Sequence, residues 1–287
     1  MSIIRISAAI HAPLSLVWKS WTLANHIVNW NFASDSWHCP NAENKLQPDG
    51  KFSFRMEAKD GSMGFDFSGK YTEIKEGESI SSVLDDGRRV NVKFEQRENF
   101  VVVSQEFEAE KDNSEELQKQ GWQSILDNFK SYTENLAAKV RMNFEILIEA
   151  PIEKVYETML SEDTYTQWTY AFYPGSFYRG SWEEGEKILF IATDSEGNEG
   201  GMVARVKKSI PNEIVSLEHY GILDKGEEIT EGPEISIWSG ALEEYRFESV
   251  EGGTLLKIIT DTNGEYHEYF EVTWPKALES LKSICEN

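Results

Sequence analysis

Apolar and polar side chains alternate in part along "IIRISAAI", residues 3–10, the period-two pattern of a strand with one buried face. Ala12-Pro13 follows. Proline suits the first turn of a helix, so "PLSLVWKSWT", 13–22, is predicted as a short helix. A second helical piece leads into "NWNFASDSWHCP", 29–40, which carries neither period. A run of strands comes next. Asp60-Gly61, inside "KFSFRMEAKDGSMGFDFSGKY", predicts a two-residue hairpin turn, with opposed residue numbers summing to 121. Phe54 then faces Phe67, Met56 faces Phe65 and Phe52 faces Gly69, all on one side of the ribbon. Arg55 and Asp66 oppose each other on the other side. Val90, Val92 and Phe94 form a further apolar row. A long helix closes the segment. It is expected to start from Asn113 as N-cap with Glu116 three residues on, and Trp122, Ile125, Phe129 and Tyr132 recur along one of its faces.

The whole order repeats. At an offset of 138, Ile10 falls on Ile148, Pro13 on Pro151 and Trp30 on Trp168. At an offset of 152, Trp122 falls on Trp274 and Leu126 on Leu278. Two similarities in the same order indicate a tandem duplication, with domains at 1–138 and 139–287. Each copy reads strand, short helices, several antiparallel strands, long helix. Helices are grouped rather than alternating with strands, so the fold class is α+β. The second long helix carries Trp274, Leu278, Leu281 and Ile284 on one face, and Pro275 is expected to begin or kink it.

Charge and composition narrow the function. Over 287 residues the net charge is −22. Clustered Lys and Arg are absent, so no nucleic-acid partner is expected. The first copy has 15 basic and 21 acidic residues, the second 13 and 29. Part of the second excess lies in "DKGEEITEGPE", Asp224 to Glu234, which looks like an inserted loop. No apolar run is long enough for a membrane span, and the first residues lack the apolar core of a signal peptide. Cys39 and Cys285 show no disulfide spacing and are expected as free thiols. Together these point to a cytoplasmic protein.

The loop 29–40 packs two Trp, one Phe, one His and one Cys into twelve residues. A metal site built on Asp35, His38 and Cys39 fails on geometry, since adjacent His38 and Cys39 do not converge easily on one ion. No metal and no cofactor are therefore expected. Two readings of Trp30, Phe32 and Trp37 remain: a plug on the core, or the rim of a pocket, since ligand pockets are mainly aromatic and apolar. The Arg55–Asp66 pair is either a solvent-facing ion pair or an anchor for a polar ligand head. None of the five histidines sits in a catalytic motif, and G-x-S-x-G is absent.

At "IHAPLSLVWKSWT", "WNFASDSWHCPNAEN", "FRMEAKDGSMGFDFSGKY", "LDDGRRVNVKF" and "GWQSILDNFKSYTEN" the chain resembles bacterial homologues of the C-terminal domain of the activator of heat-shock protein 90 ATPase. These belong to the START-like, or SRPBCC, superfamily. The resemblance implies two tandem helix-grip domains, each a six- or seven-stranded curved antiparallel sheet around its C-terminal helix. It also implies a cavity for a small apolar molecule. Candidate ligand-binding residues are then Trp30, Phe32, Trp37, Phe54, Phe67, Arg55, Asp66 and Trp122, with no catalytic residue assigned. Binding of a small hydrophobic molecule is the expected function. The alternatives are a cyclase- or hydrolase-type enzyme using the same cavity, and an interaction module with a chaperone partner or a second copy as homodimer. A buried His–acid pair opening into a pocket would mark the enzyme.

Overall fold

In the computed structural model, which describes residues 2–236 and 239–287, the chain forms two units, Met1–Ala137 and Ala138–Asn287. The first contains β1 (Ile3–Ile10), α1 (Leu14–Thr22), α2 (Ala24–Ile27), β2 (Trp37–His38), β3 (Ala42–Asn44), β4 (Lys51–Ala58), β5 (Gly64–Lys75), β6 (Ser79–Leu84), β7 (Arg89–Gln96), β8 (Val101–Glu108) and α3 (Glu115–Ala137). Its antiparallel sheet runs β1-β8-β7-β6-β5-β4-β2, and β3 pairs with β4 off this path. That makes eight strands rather than six or seven, because the aromatic loop contributes β2 and the segment after it β3. Both are short additions to the outer edge of β4.

Strand alternation puts Ile4 and Ile6, Val90, Val92 and Phe94, and Val101, Val103 and Phe107 on the inner face, all buried. The long helix α3 lies against that face. Trp122 stacks on Phe107 with ring centroids 3.9 Å apart and planes at 14°. Leu126 and Phe129, one and two turns on, are buried in the same core. Burying each such side chain contributes ~1.5–3 kcal/mol.

Three local expectations are adjusted. Pro13 is the N-cap of α1 rather than its first turn, with φ −61° and ψ 150°. Its fixed φ suits the entry, while its extended ψ holds it outside the helix. The β4–β5 register is the expected one, with Phe54 opposite Phe67 and Arg55 opposite Asp66. The turn is longer than two residues, however. The last ladder pair is Glu57–Gly64, Ala58 N–H donates to Met63 O, and 59–62 form the connection. Asp60 stabilises it by accepting from the backbone and hydroxyl of Ser62. Finally, Ser114 rather than Asn113 caps α3, its Oγ accepting from Leu117 N–H at 3.3 Å.

The second unit repeats the plan with β9 (Lys139–Ile148), α4 (Ile152–Leu160), α5 (Glu162–Trp168), β10 (Phe177–Gly180), β11 (Lys187–Thr193), β12 (Glu199–Ile210), β13 (Ile214–Asp224), β14 (Glu227–Ile229), α6 (Pro233–Ser236), β15 (Ala241–Val250), β16 (Gly253–Asn263) and α7 (His267–Glu286). The sheet runs β10-β11-β12-β13-β15-β16-β9, with β14 on β13. Pro275 lies inside α7, and Trp274, Ala277, Leu278 and Leu281 are buried against the sheet. The acidic stretch from Asp224 is a hairpin rather than a loop: Asp224 pairs with Glu227. Lys225 and Gly226 both take positive φ, 50° and 82°, as a tight turn between twisted strands requires.

Two glycines give a paired stability test. A Cβ on Gly69 would stand 2.5 Å from Val83 O and 2.9 Å from the Phe52 ring, whereas one on Gly121, inside α3, meets nothing within 4 Å. Gly69→Ala should destabilise by ~1–3 kcal/mol. Gly121→Ala should stabilise by ~0.5–1 kcal/mol, because glycine costs that much inside a helix. Urea melts of the two variants check this, and a neutral Gly69→Ala would contradict the packing.

Candidate functional site

The inner face of the first unit is not filled along its whole length. Beyond the Trp122–Phe107 stack, helix and sheet leave a cavity of about 300 Å³. Its walls follow from the elements already described. The β4–β5 ribbon supplies Phe54, Met56, Phe65 and Phe67, α3 supplies Trp122 and Ile125, and the helix-to-loop passage supplies Trp21 and Trp30. Phe67 meets Trp122 edge-on at 5.6 Å and lies over Phe54 at 6.4 Å. Trp21 and Trp30 stack at 5.2 Å. Tyr71 closes the inner end. Its hydroxyl donates to Asn44 Oδ1 at 2.6 Å, and Asn44 in turn donates to Thr22 O. Burial pushes the Tyr71 phenol well above its ordinary pKa, so it stays a neutral donor.

One side of the cavity is polar. Arg88, Gln105, Glu110, Asn113 and Gln118 all line it. Most of them are already occupied. The Gln118 amide accepts from Glu110 N–H and donates to the Asn113 carbonyl. Arg88 Nε donates to Asp86 at 2.8 Å. Glu110 accepts from the backbone of Asp112 and from Asn113. The Asp112 N–H above all holds its carboxyl below the usual range, helped by Asn113 and the nearby Arg88. Gln105 differs. Its side chain is buried on β8 and forms no hydrogen bond among the described residues, while its neighbours on the inner face are apolar.

The residues singled out in the sequence are not all gathered here. Trp30, Phe54, Phe67 and Trp122 line the cavity. Trp37 stands further out, lining a recess of about 320 Å³ that shares Met56, Phe65 and Trp122 with the cavity. There it meets the exposed rim residue Phe65 at 5.9 Å. Phe32 lines neither space. Arg55 and Asp66 do not reach the cavity, because strand alternation turns them to the outer face. Arg55 there pairs with Glu57 at 2.7 Å and more loosely with Asp66 at 3.4 Å. Phe32, Arg55 and Asp66, expected as ligand-binding residues, therefore lie outside this cavity. Trp21 and the polar group around Gln105 went unmarked in the sequence. Trp21 was legible as an apolar position of α1, but nothing in "VVVSQEFE" distinguishes Gln105 from a surface residue.

His38 and Cys39 point apart. His38 faces Glu57, and the Cys39 thiol donates to Asn41 O. No group of three or more His, Cys, Asp or Glu is placed to hold a metal ion among the described residues, and no helix among them is long and apolar enough to cross a membrane. The second unit has its own cavity, of about 200 Å³, between its sheet and α7.

Two curled sheets, each gripping a C-terminal helix over a cavity, define a tandem START-like helix-grip protein. The family model for activator of Hsp90 ATPase homolog 1-like protein matches residues 11–134 and again 149–286, and the chain belongs to that family. Among solved structures, the AHSA1-like protein of Aeromonas hydrophila is similar at 41% identity. That match covers 46% of this chain and 92% of that one, with a TM-score of 0.45. Chr148 of Cytophaga hutchinsonii is similar at 42% identity over 46% of this chain and 92% of its own, with a TM-score of 0.42. The di-domain ARO/CYC StfQ from the steffimycin biosynthetic pathway aligns over 99% of this chain and 98% of its own, at 12% identity and a TM-score of 0.37. No functionally curated protein matches the chain.

Trp30 and Trp37 should separate core from rim. Trp30 is 4% exposed and donates through Nε1 to Ser20 O at 2.8 Å, so Trp30→Ala should cost ~3–5 kcal/mol in a denaturant melt. Trp37, half-buried at the mouth, should cost much less; equal losses would contradict this division. Burial also raises the Cys39 thiol to about 11. At pH 8 it should therefore react with a disulfide reagent only as the first unit unfolds, since the thiolate is the nucleophile. The raised pKa adds stability below the unfolded-state value, and that contribution is lost as pH climbs towards 11.

Proposed function

We propose that the first unit binds a small, largely apolar molecule carrying one hydroxyl or carbonyl group. The observation that carries this is the Gln105 side chain on the wall of an aromatic cavity, with no hydrogen-bond partner among the described residues. Its amide keeps access to the cavity, where a hydrogen bond to a ligand oxygen contributes ~0.5–1.5 kcal/mol. The surrounding rings supply the apolar contact that dominates small-molecule sites. The outer recess and the exposed rim residues Phe65 and Leu117 give an apolar route inwards, past Trp37.

Membership of a family with the START-like cavity is consistent with ligand binding. An enzyme in this unit has less support. No histidine lines the cavity among the described residues, and its acid, Glu110, is committed to donors of Asp112 and Asn113. A pure interaction module also has less support, because the space between helix and sheet is open rather than packed.

The test is a tryptophan-fluorescence titration with naphthalene, 2-naphthol, a fatty alcohol and a fatty acid. Saturable binding is expected, with 2-naphthol tighter than naphthalene. Gln105→Leu should weaken 2-naphthol about five- to ten-fold, the loss of one hydrogen bond, and leave naphthalene unchanged or improved. Absence of saturable binding by every probe, or equal effects of Gln105→Leu on both naphthalenes, would overturn the proposal.

A further inference from the structure

The second unit's cavity has different chemistry. Its inner sheet face carries His219 on β13 and Glu243 and Tyr245 on β15. His219 Nε2 lies 2.9 Å from Glu243 Oε2, and the Tyr245 hydroxyl donates to Glu243 Oε1. With Glu243 ionised, the His219 tautomer that fits is the one with Nε2–H as donor, since a carboxylate only accepts. All three residues line the cavity. A β-bulge adjoins His219: the β12–β13 register slips between Val203 and Ala204, leaving Tyr220 without a ladder partner opposite this join.

The first unit has nothing comparable at these positions. Leu217 pairs with Glu243 and Val215 with Tyr245, as Ser82 pairs with Val90 and Ile80 with Val92. Phe247 contacts Tyr156 of the short helix as Phe94 contacts Trp18. In that alignment Glu243 and Tyr245 replace Val90 and Val92, and His219 replaces Leu84. Three apolar positions of one copy have become one polar constellation in the other.

The constellation does not read as a nucleophilic triad. His219 Nδ1 is buried with no hydrogen-bond partner, so no serine, threonine or cysteine is poised to give it a proton. Glu243 is not placed as a base either, because both its oxygens already accept, from His219 and from Tyr245. The ion-pair partner of Glu243 among the described residues is His219, a cation only when its ring is protonated. Among the described lining residues Glu243 is the one Asp, Glu, Lys or Arg, and the rest of the wall is largely rings, including Trp168, Phe172, Phe190, Phe270 and Trp274. A carboxylate with two lone-pair positions still open, set among aromatic faces, is complementary to an ammonium group through charge, hydrogen bonds and cation–π contact. A cavity of about 200 Å³ lies below the ~300–1,000 Å³ usual for drug-sized ligands, which limits the guest to roughly one ring. The 29 acidic against 13 basic residues of this unit favour the approach of cations.

We infer that the second unit binds a small organic ammonium ion, with Glu243 as its counter-ion and His219 and Tyr245 as the residues that hold Glu243 in place. The test uses the full chain at neutral pH and three probes of the same shape: phenethylammonium, 2-phenylethanol and 3-phenylpropanoate. Calorimetry should find phenethylammonium binding one-to-one, at least about ten-fold tighter than the alcohol, and no binding of the anion. Its addition should shift the His219 ring resonance in NMR. Glu243→Gln should bring the ammonium down to the level of the alcohol, and Gln105→Leu in the first unit should leave it unchanged. If Glu243→Gln does not fold, the wild-type series decides alone. Equal binding of ammonium and alcohol, no binding of either, or discrimination surviving in Glu243→Gln would overturn the inference.

Discussion

One flat contact organises the first half of this protein: a tryptophan of the long helix laid against the inner face of the sheet. In the first unit Trp122 lies on Phe107, 3.9 Å away and nearly parallel. That stack fixes how closely helix and sheet can approach. To one side of it the gap closes over Leu126 and Phe129, which are fully buried. To the other side it stays open, walled by the rings of the β4–β5 ribbon. Core and cavity are thus two consequences of the same spacing, since side chains pack to crystal-like density wherever they can reach one another and leave space where they cannot. Trp274 occupies the matching position in α7, where it contacts Phe144 and Phe172.

A duplicated fold lets the two cavities diverge while each scaffold stays intact. Helix-facing positions on the central strands of the first unit are largely aliphatic apart from Gln105, and its other polar groups come from the β6–β7 turn and from the segment leading into α3. In the second unit a carboxylate and an imidazole stand on the sheet itself, at Glu243 and His219. A charge withdrawn from water on a strand is costly unless it is hydrogen-bonded, and half-buried Glu243 meets that condition with two donors from side chains two residues away or on the neighbouring strand. Such a group belongs to the rigid sheet rather than to a loop, which favours precise placement of whatever it contacts.

The outer faces carry charge of a different kind. Arg55 with Glu57 and Asp66, Arg5 with Glu106, and Arg141 with Asp261 are cross-strand or neighbouring pairs on exposed surface. Exposed pairs of this type contribute ~0–1 kcal/mol each. They keep the outer surface wet and mark which face is which, but they perform no chemistry at either cavity.

Much of the architecture was legible from residue order alone. Period-two and helical patterns placed the strands and long helices, the recurrence of Trp30 at Trp168 and Trp122 at Trp274 exposed the duplication, and pairing about Asp60-Gly61 set the β4–β5 register. These features depend on neighbours a few residues apart, so the linear order determines them. Turn lengths and caps moved by a residue or two, because hydrogen bonds such as Ala58 to Met63 and Leu117 to Ser114 compete locally on small differences. The sites were less legible. Alternation put Arg55 and Asp66 on one face, but which face curls around the helix is decided by the packing of the whole sheet. His219 and Glu243 stand 24 positions apart, and Gln105 lies 13 before Gln118. Each looks like an ordinary polar residue of a strand until strand pairing and a covering helix remove it from water. Burial is a property of the closed tertiary structure, and it is burial that turns these polar side chains into candidate binding groups.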